Sequence, residues 1–363
     1  MIYFGKYLKD YLEYNNISQT EFATRIGITQ KHMNEIINGK TRITLEMAGN
    51  IERLTGIKSE FIINVENSRI LKENILKQYG NIDNLKKEIT IKYHIDEIKK
   101  RNWIKFKDET DILQVCIDLL DFLKVKDFYI IPKLEKQILF KKTGNDFNKI
   151  ALWIAHCDET IKQQNVNEYN SYNLMLLIKD LQELAYNNSI DIDKVRELLN
   201  KYGIYFACEK ALTGTKIRGC FRVKGKQPAI YVTDNYAGKD SFFFELFHEL
   251  GHCKSDYNEG KNKAIIDGND LKEEKADKFA LEVMIPEKIW KKIVDGEINE
   301  KTLKEIYGVK IGKDEITKFS NTLKAEIIFT RESYDRGQPL ETEKIWKENF
   351  YDCQDIFKNE EKL

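Results

Sequence analysis

The sequence predicts an α+β fold that is mainly α-helical. Apolar residues recur at helical spacing along most of the chain, β-forming residues cluster at residues 203–232, and a strongly apolar helix follows at Phe242–Cys253. Four regions are expected in chain order. They are a five-helix domain at 1–65, a helical middle region at 66–200, a domain with a small β-sheet at 201–290 and a helical C-terminal extension at 291–363.

Composition limits the classes of function. The 363 residues include 59 basic and 59 acidic ones, so any nucleic-acid contact must be local rather than driven by net charge. Six scattered cysteines without a CxxC pair indicate reduced thiols, and therefore a cytoplasmic protein. We expect no membrane contact, because the chain lacks both a signal-peptide pattern and an apolar run of about 18 residues.

The first 65 residues carry dense helix signals. Apolar spacing predicts a helix at residues 3–15, and Ser18 and Glu21 have the spacing of a capping box, with Glu21 reaching back. The second helix is expected to stop at Gly27, which can adopt a left-handed conformation. The third helix is predicted at Gln30–Ile37 and ends at Asn38-Gly39. The later helices, of which the fifth is expected to be short, are predicted to start at Thr29, Thr44 and Ser59.

Two short helices joined through an AxxxG pattern, Ala23 to Gly27, are typical of a helix-turn-helix. The segment from Ile17 to Arg42 resembles the Cro-like XRE family, and its continuation resembles the HigA antitoxin branch. The resemblance implies that residues 18–42 bind an operator DNA. It also implies that Met33 and Ile36 face the core while the recognition helix exposes Gln30, Lys31, Asn34 and Glu35.

Each exposed side chain has an expected DNA partner. Gln30 or Asn34 has the amide geometry to read adenine, and Lys31 could reach guanine. Phosphate contacts are expected from Gln19, Lys40 and Arg42. The alternative is a helical subdomain that has lost DNA binding or uses this face to bind protein. The acidic Glu35 on the recognition face is consistent with this alternative. Helix-turn-helix proteins of this type bind as dimers, so a homodimer is a further expectation.

The middle region gives no functional signal. Helical apolar patterns recur at Ile112–Leu123, Met175–Leu184 and Val195–Leu199. His94 and His156 stand apart from other candidate ligands, so we expect ordinary hydrogen-bonded or solvent-facing side chains.

The apolar helix after the predicted strands carries a metal-binding pattern. His248 and His252 are four residues apart and share one helix face, so both imidazoles can bind one ion. Glu249 lies where it can take a proton from a metal-bound water. This is the HExxH pattern of zinc peptidases, in which Glu249 is the general base.

A second predicted helix, ending before Pro286, supplies a third ligand. Glu273 and Asp277 are four residues apart, and in zincins of the Glu-ligand kind ExxxD provides the third ligand and an acid that supports a ligand histidine. Two histidines and one carboxylate leave an open coordination position. Glu274 is the alternative ligand if the register differs by one. Cys253 is expected to be a buried small residue, but as a fourth ligand it would close the site.

The combined pattern, FFFELFHELGHCKS followed by EEKADKFALEVMIP, resembles the ImmA/IrrE metallopeptidase domains over residues 200–290. The resemblance implies a zincin-like fold with Zn²⁺ held by His248, His252 and Glu273, Glu249 as base and Asp277 behind a ligand histidine. It also implies that residues 217–223 or 229–233 align a peptide by strand-edge pairing.

Two functional hypotheses follow from these motifs. The first is a DNA-binding transcriptional regulator with a zinc peptidase domain that cuts or controls a repressor or antitoxin in a stress, phage or toxin–antitoxin response. The second is a non-proteolytic antitoxin-like repressor whose zinc domain is a sensor or partner-binding surface. In the C-terminal extension, short helices are predicted at Glu300–Tyr307 and Asp314–Leu323.

Overall fold

The computed structural model describes residues 3–135, 146–186, 191–233, 239–266 and 270–288, together with Lys291. These residues are mainly helical with one small sheet, which confirms the predicted α+β, mainly α fold class. The chain divides into two compact units, Met1–Lys124 and Val125–Leu363. The finer division into four regions stays a prediction. The two helices predicted in the C-terminal extension lie outside the described residues.

The first unit is helical throughout its described part. Its helices are α1 (Phe4–Tyr14), α2 (Gln19–Ile26), α3 (Gln30–Ile37), α4 (Leu45–Thr55), α5 (Ser59–Tyr79), α6 (Ile82–Tyr93), α7 (Ile95–Lys100) and α8 (Ile112–Leu123). The predicted pattern at Ile112–Leu123 therefore coincides with α8.

Three of the predicted helix starts are confirmed by side-chain caps. The hydroxyl oxygens of Ser18, Thr29 and Thr44 each accept the backbone N–H three residues further on, at 3.1, 3.2 and 3.2 Å. The second half of the predicted capping box is wrong, because the Glu21 carboxylate pairs with Arg25 at 2.5 Å instead of reaching back.

The fifth helix differs from its prediction in both start and length. Ser59 does not cap it; the Glu52 carboxylate accepts the Ser59 backbone N–H at 2.8 Å, and Lys58 lies 3.0 Å from the same carboxylate. Hydrogen bonds from Ser59 and then from Lys58 lower the pKa of Glu52 to about 2. The helix continues to Tyr79 because residues 59–79 contain neither Gly nor Pro; Gly80 ends it.

The core of the helix-turn-helix lies between α1 and the inner face of α3. Met33 and Ile36 are fully buried there, as predicted, and pack in one cluster with Phe4, Leu8 and Phe22. Burying the inner face of α3 leaves its opposite face free for recognition.

The second unit contains a three-stranded sheet surrounded by helices. Its described elements are α9 (Ile131–Glu135), α10 (Phe147–Thr160), α11 (Leu174–Tyr186), α12 (Ile192–Lys201), β1 (Tyr205–Cys208), β2 (Gly219–Lys224), β3 (Gln227–Val232), α13 (Lys239–Ser255), α14 (Tyr257–Gly260) and α15 (Asp270–Met284). The predicted strands and the apolar helix are thus found within a few residues of their expected positions. No helix in the described ranges is long and apolar enough to cross a membrane.

The strand order is β1-β3-β2, with β1 parallel and β2 antiparallel to β3. Both outer strands are covered at one residue. On β1, the Gln164 side chain donates to the Phe206 carbonyl at 2.6 Å and accepts its N–H at 3.1 Å. On β2, the Ile265 backbone exchanges two hydrogen bonds with Phe221, at 2.7 and 3.0 Å.

Helix α13 packs on one face of the sheet and crosses α15. Phe243 and Phe247 of α13 are buried in the same cluster as Phe221 and Ile230 of the sheet. At the crossing with α15, a Cβ on Gly251 would stand 3.1 Å from the Cα of Ala276. The absence of a side chain at Gly251 therefore lets the two helices approach closely enough to face a common site.

Candidate metal centre and helix-turn-helix surface

Helices α2 and α3 present the predicted DNA-contacting face. The turn between them begins at Gly27, which has φ +75° and ends α2 as predicted. Lys31 and Asn34 are exposed on α3, and Glu35 is half-buried beside them. The remaining expected contacts lie on the same domain: Gln19 is half-buried at the start of α2, while Lys40 and Arg42 are exposed after α3.

Two of the recognition side chains are already held by neighbours. The Thr20 hydroxyl donates to the Gln30 side-chain carbonyl, which links the first turns of α2 and α3. The Asn34 side-chain carbonyl accepts from Asn38 at 2.8 Å. Such bonds fix side-chain conformations before any partner arrives, so the amides offer their remaining donors in defined directions.

Three candidate ligand side chains from two helices converge in the second unit. The Nε2 atoms of His248 and His252 lie 3.1 Å apart; that of His248 lies 3.2 Å from the Oε2 of Glu273, and that of His252 lies 3.2 Å from its Oε1. Tetrahedral ligands at about 2.0–2.1 Å from a zinc-sized ion would stand about 3.3–3.4 Å apart. These residues are the one group of three that could hold a metal ion within the described part of the chain.

Each histidine is bound from behind by an aspartate. Asp277 of α15 lies 2.9 Å from the Nδ1 of His248, and Asp256, just after α13, lies 2.9 Å from the Nδ1 of His252. A carboxylate there selects the Nδ1–H tautomer and leaves the Nε2 lone pair facing the common point. Asp256 was not predicted from the sequence, although its position four residues after His252 on the same helix face is a readable signal.

The predicted base, Glu249, points into a space left by a glycine. It is 3% exposed, and its Oε2 atom has no hydrogen-bond partner among the residues that the structure describes. A Cβ on Gly219 of β2 would stand 2.2 Å from the Glu249 Oε1 and 2.7 Å from a Glu245 oxygen. Burial raises the pKa of Glu249 well above its ordinary value, with the two histidines opposing.

Charges at the three ligand residues are strongly linked. Burial alone would lower the histidine pKa values, but hydrogen bonds to Asp277 and Glu273 raise the pKa of His248 well above its usual range. Hydrogen bonds to Asp256 and Glu273 raise the pKa of His252 to about 9 against the same burial effect. Burial alone would raise the pKa of Glu273, but hydrogen bonds to the two histidines lower it well below its usual range. The site therefore favours positive charge at its centre, whether protons or a cation supply it.

Neither alternative ligand reaches this centre. The Glu274 side chain is 58% exposed and lies 3.9 Å from Lys278. Cys253 is buried, donates its S–H to the Tyr169 hydroxyl at 3.4 Å, and has a pKa raised to about 12 by burial. Among the residues that the sequence offered as ligands, His248, His252 and Glu273 therefore converge, whereas Glu274 and Cys253 do not.

The expected strand-edge pairing is corrected in part. Residues 229–233 cannot pair with a peptide through an edge, because β3 is the central strand with a partner on each side. On β2, Phe221 is already paired with Ile265. Gly219, two residues earlier, turns its backbone groups toward the same outer side.

The two isolated histidines have ordinary structural roles. His156 forms a hydrogen bond with Glu209 at 3.1 Å, and His94 lies between α6 and α7.

Comparison with known proteins identifies the first of these two sites. The helix-turn-helix family model matches residues 8–62, which run from the middle of α1 to the first turn of α5. This segment is a DNA-binding domain of the helix-turn-helix class. More narrowly, it is of the XRE type, and the chain is a DNA-binding transcriptional regulator. No curated protein matches the chain.

Proposed function

We propose that this DNA-binding regulator is also a zinc-dependent endopeptidase, whose substrate is a repressor or antitoxin-type protein in a stress, phage or toxin–antitoxin response. One observation carries the proposal: the Nε2 atoms of His248 and His252 and the Glu273 carboxylate meet within 3.1–3.2 Å, beside the buried Glu249. Electron-rich atoms at such short distances repel one another unless a cation or protons lie between them.

The donor set favours zinc. Two imidazole nitrogens and one carboxylate are the ligands of catalytic zinc sites, and they leave one position open. Glu249 follows His248 on the same helix, and its buried Oε2 atom has no hydrogen-bond partner among the described residues, so it is available to a water molecule. When bound, zinc would supply a Lewis acid that lowers the pKa of a bound water and polarises a peptide carbonyl.

The protein residues would manage the protons. Glu249 takes a proton from the attacking water on its carboxylate and delivers it to the nitrogen of the leaving amine. Its burial fits both steps, because a raised pKa lets the carboxylate hold the proton between them. Asp277 and Asp256 hold the imidazoles in one orientation, so no reorganisation of the ligands is needed during the reaction.

The first test pairs metal content with cleavage. Full-length chain is purified, its bound metal is measured, and Glu249→Gln is compared with wild type on regulator proteins encoded beside its gene. Removing the base is expected to lower cleavage by about 10²–10⁴-fold, because general base catalysis contributes about that factor. Zinc content should stay unchanged, since Glu249 is not placed as a ligand.

Glu282→Gln serves as the matched control, because Glu282 lies on α15 outside the ligand set and is exposed. It should cleave like wild type. Metal-free wild-type protein, or equal cleavage by wild type and Glu249→Gln, would refute the peptidase.

One observation favours a second function. Ile265 occupies the outer edge of β2 at Phe221, where a peptide substrate would extend along the strand. A zinc domain without turnover would then act as a sensor or partner-binding surface of an antitoxin-like repressor. Operator binding that changes when zinc is added or removed, and is the same in Glu249→Gln, would favour this function over proteolysis.

A further inference from the structure

We propose that Asp256 and Lys272 are positioning residues of the metal centre, linking the second ligand histidine to the helix that carries the third ligand. Asp256 orients His252, and Lys272 holds Asp256 from the first turn of α15. The inference rests on the proposed function in one respect, that the site binds zinc.

Asp256 is fixed against His252 by its own backbone as well as by its side chain. Its Oδ2 atom lies 2.9 Å from the His252 Nδ1, and its backbone N–H donates to the His252 carbonyl at 2.7 Å. The carboxylate is 10% exposed, so little water competes for it. Asp256 therefore fixes both the tautomer and the rotation of the imidazole, which sets where Nε2 points.

Lys272 joins this carboxylate to the opposite helix. Its Nζ atom lies 3.4 Å from the Oδ1 of Asp256 and also pairs with Glu259 of α14. The side chain is 22% exposed, so water only partly screens the two ion pairs. The residue that follows it on α15 is Glu273, the third ligand.

One ammonium group therefore connects the end of α13 to the start of α15. Asp256 and Glu259 lie after the ligand histidines, and Lys272 lies directly before the ligand carboxylate. Asp277 supports His248 from α15, so the two histidines have separate supports. The support of His252 includes a cation from the helix that carries the third ligand.

The test measures zinc affinity by competition with a chromophoric chelator, on full-length protein. Asp256→Ala is expected to raise the zinc Kd by about 10–100-fold, as for other carboxylates behind ligand histidines. Asp256→Asn should raise it less, because its carbonyl still accepts from the imidazole. Lys272→Met should raise it several-fold, and Lys272→Arg should restore the wild-type value.

Lys275→Met is the matched control, because Lys275 is exposed on the same helix. It should leave Kd unchanged. In the double variant Asp256→Ala with Lys272→Met, the effects should not multiply, because Lys272 acts through Asp256. Thermal unfolding of the metal-free proteins measures general destabilisation. Destabilisation alone would not make the effects of the two substitutions on zinc Kd depend on each other.

Each outcome decides the inference. An unchanged zinc Kd in Asp256→Ala would overturn this inference but not the proposed function. Fully multiplicative effects in the double variant would overturn the role of Lys272. A wild-type chain that binds no zinc would overturn both this inference and the proposed function. Retained zinc binding with no cleavage would overturn the peptidase but leave the positioning roles in place.

Discussion

The helix-turn-helix domain and the candidate metal centre use helices in opposite ways. In α3, the residues expected to read DNA are kept outside, while Met33 and Ile36 bury the other face. In α13, His248, Glu249 and His252 are themselves buried and face a second helix. The first arrangement can change its exposed side chains at little cost to folding. In the second arrangement, each candidate functional residue is also packed in the protein interior. Most substitutions there therefore alter structure and chemistry together.

The strongest test of this contrast is the third ligand. Glu273→Gln should raise the zinc Kd by more than the about 10–100-fold typical of a supporting carboxylate, because a charged ligand is lost. Its neighbour, Glu274→Gln, should bind zinc like wild type, since that side chain is exposed. Chelator competition on both variants measures the difference. Loss of zinc only in Glu274→Gln would show that the helix register is off by one residue.

A smaller effect is expected at Gly219, which is not a candidate metal ligand but leaves space for Glu249. Gly219→Ala places a Cβ against Glu249 and Glu245, so it should displace the base and lower cleavage by about 10²-fold. Overpacking should also cost about 1–3 kcal/mol of stability. Zinc affinity should change little because the ligands are untouched. The measurements are kcat/KM, zinc Kd and denaturant unfolding, with Gly49→Ala in α4 as the glycine control, because a Cβ there would meet no atom within 4 Å. Wild-type cleavage by Gly219→Ala would contradict this placement of Glu249.

On the exposed surface, substitutions should weaken DNA binding by modest factors. Arg42→Ala should reduce affinity for all sequences and lower the slope of log K against log salt by about 1, if Arg42 contacts one phosphate. Lys31→Ala should relax sequence preference at one base pair, costing about 1–3 kcal/mol there. Operator titrations at several salt concentrations measure both. Glu249→Gln is the control and should bind DNA like wild type; unaltered binding in Arg42→Ala and Lys31→Ala would point to a protein-binding face.

The smallest expected effect concerns the cap of α5. Glu52→Gln should lower the thermal midpoint by a few degrees at pH 7. The folded-state pKa of Glu52 is depressed to about 2 from an ordinary 4.5, so its stabilisation is present above pH 4.5 and is lost as pH falls toward 2. The two proteins should therefore converge on acidification. Glu13→Gln, at an exposed residue, should show no such difference; a gap that persists at low pH would refute the cap.

Most local signals in the sequence predicted the structure, whereas several contacts between distant segments had no signal in the sequence. Ser18, Thr29 and Thr44 cap residues three positions away, and the histidine pair repeats over one helical turn, so spacing alone located them. Glu52 caps a helix seven residues later, which no capping rule describes.

Tertiary packing accounts for the remaining differences. Gly219 makes room for Glu249 only because β2 lies beside α13, and the position of β3 at the centre of the sheet follows from strand order. Neither contact has a sequence spacing that identifies it. Asp256 is different, because its four-residue spacing from His252 is a sequence signal for this contact.

The covered strand edges have a consequence for how this sheet meets other chains. Gln164 blocks β1 at Phe206, and Ile265 blocks β2 at Phe221, so the backbone groups most able to template a foreign strand are already satisfied. Self-association into extended β-structure is thereby discouraged at both borders. An incoming polypeptide would have to dock at the Gly219 end of β2 or displace the Ile265 segment. For the proposed peptidase, this coverage would disfavour extended segments of unfolded bystander proteins as substrates.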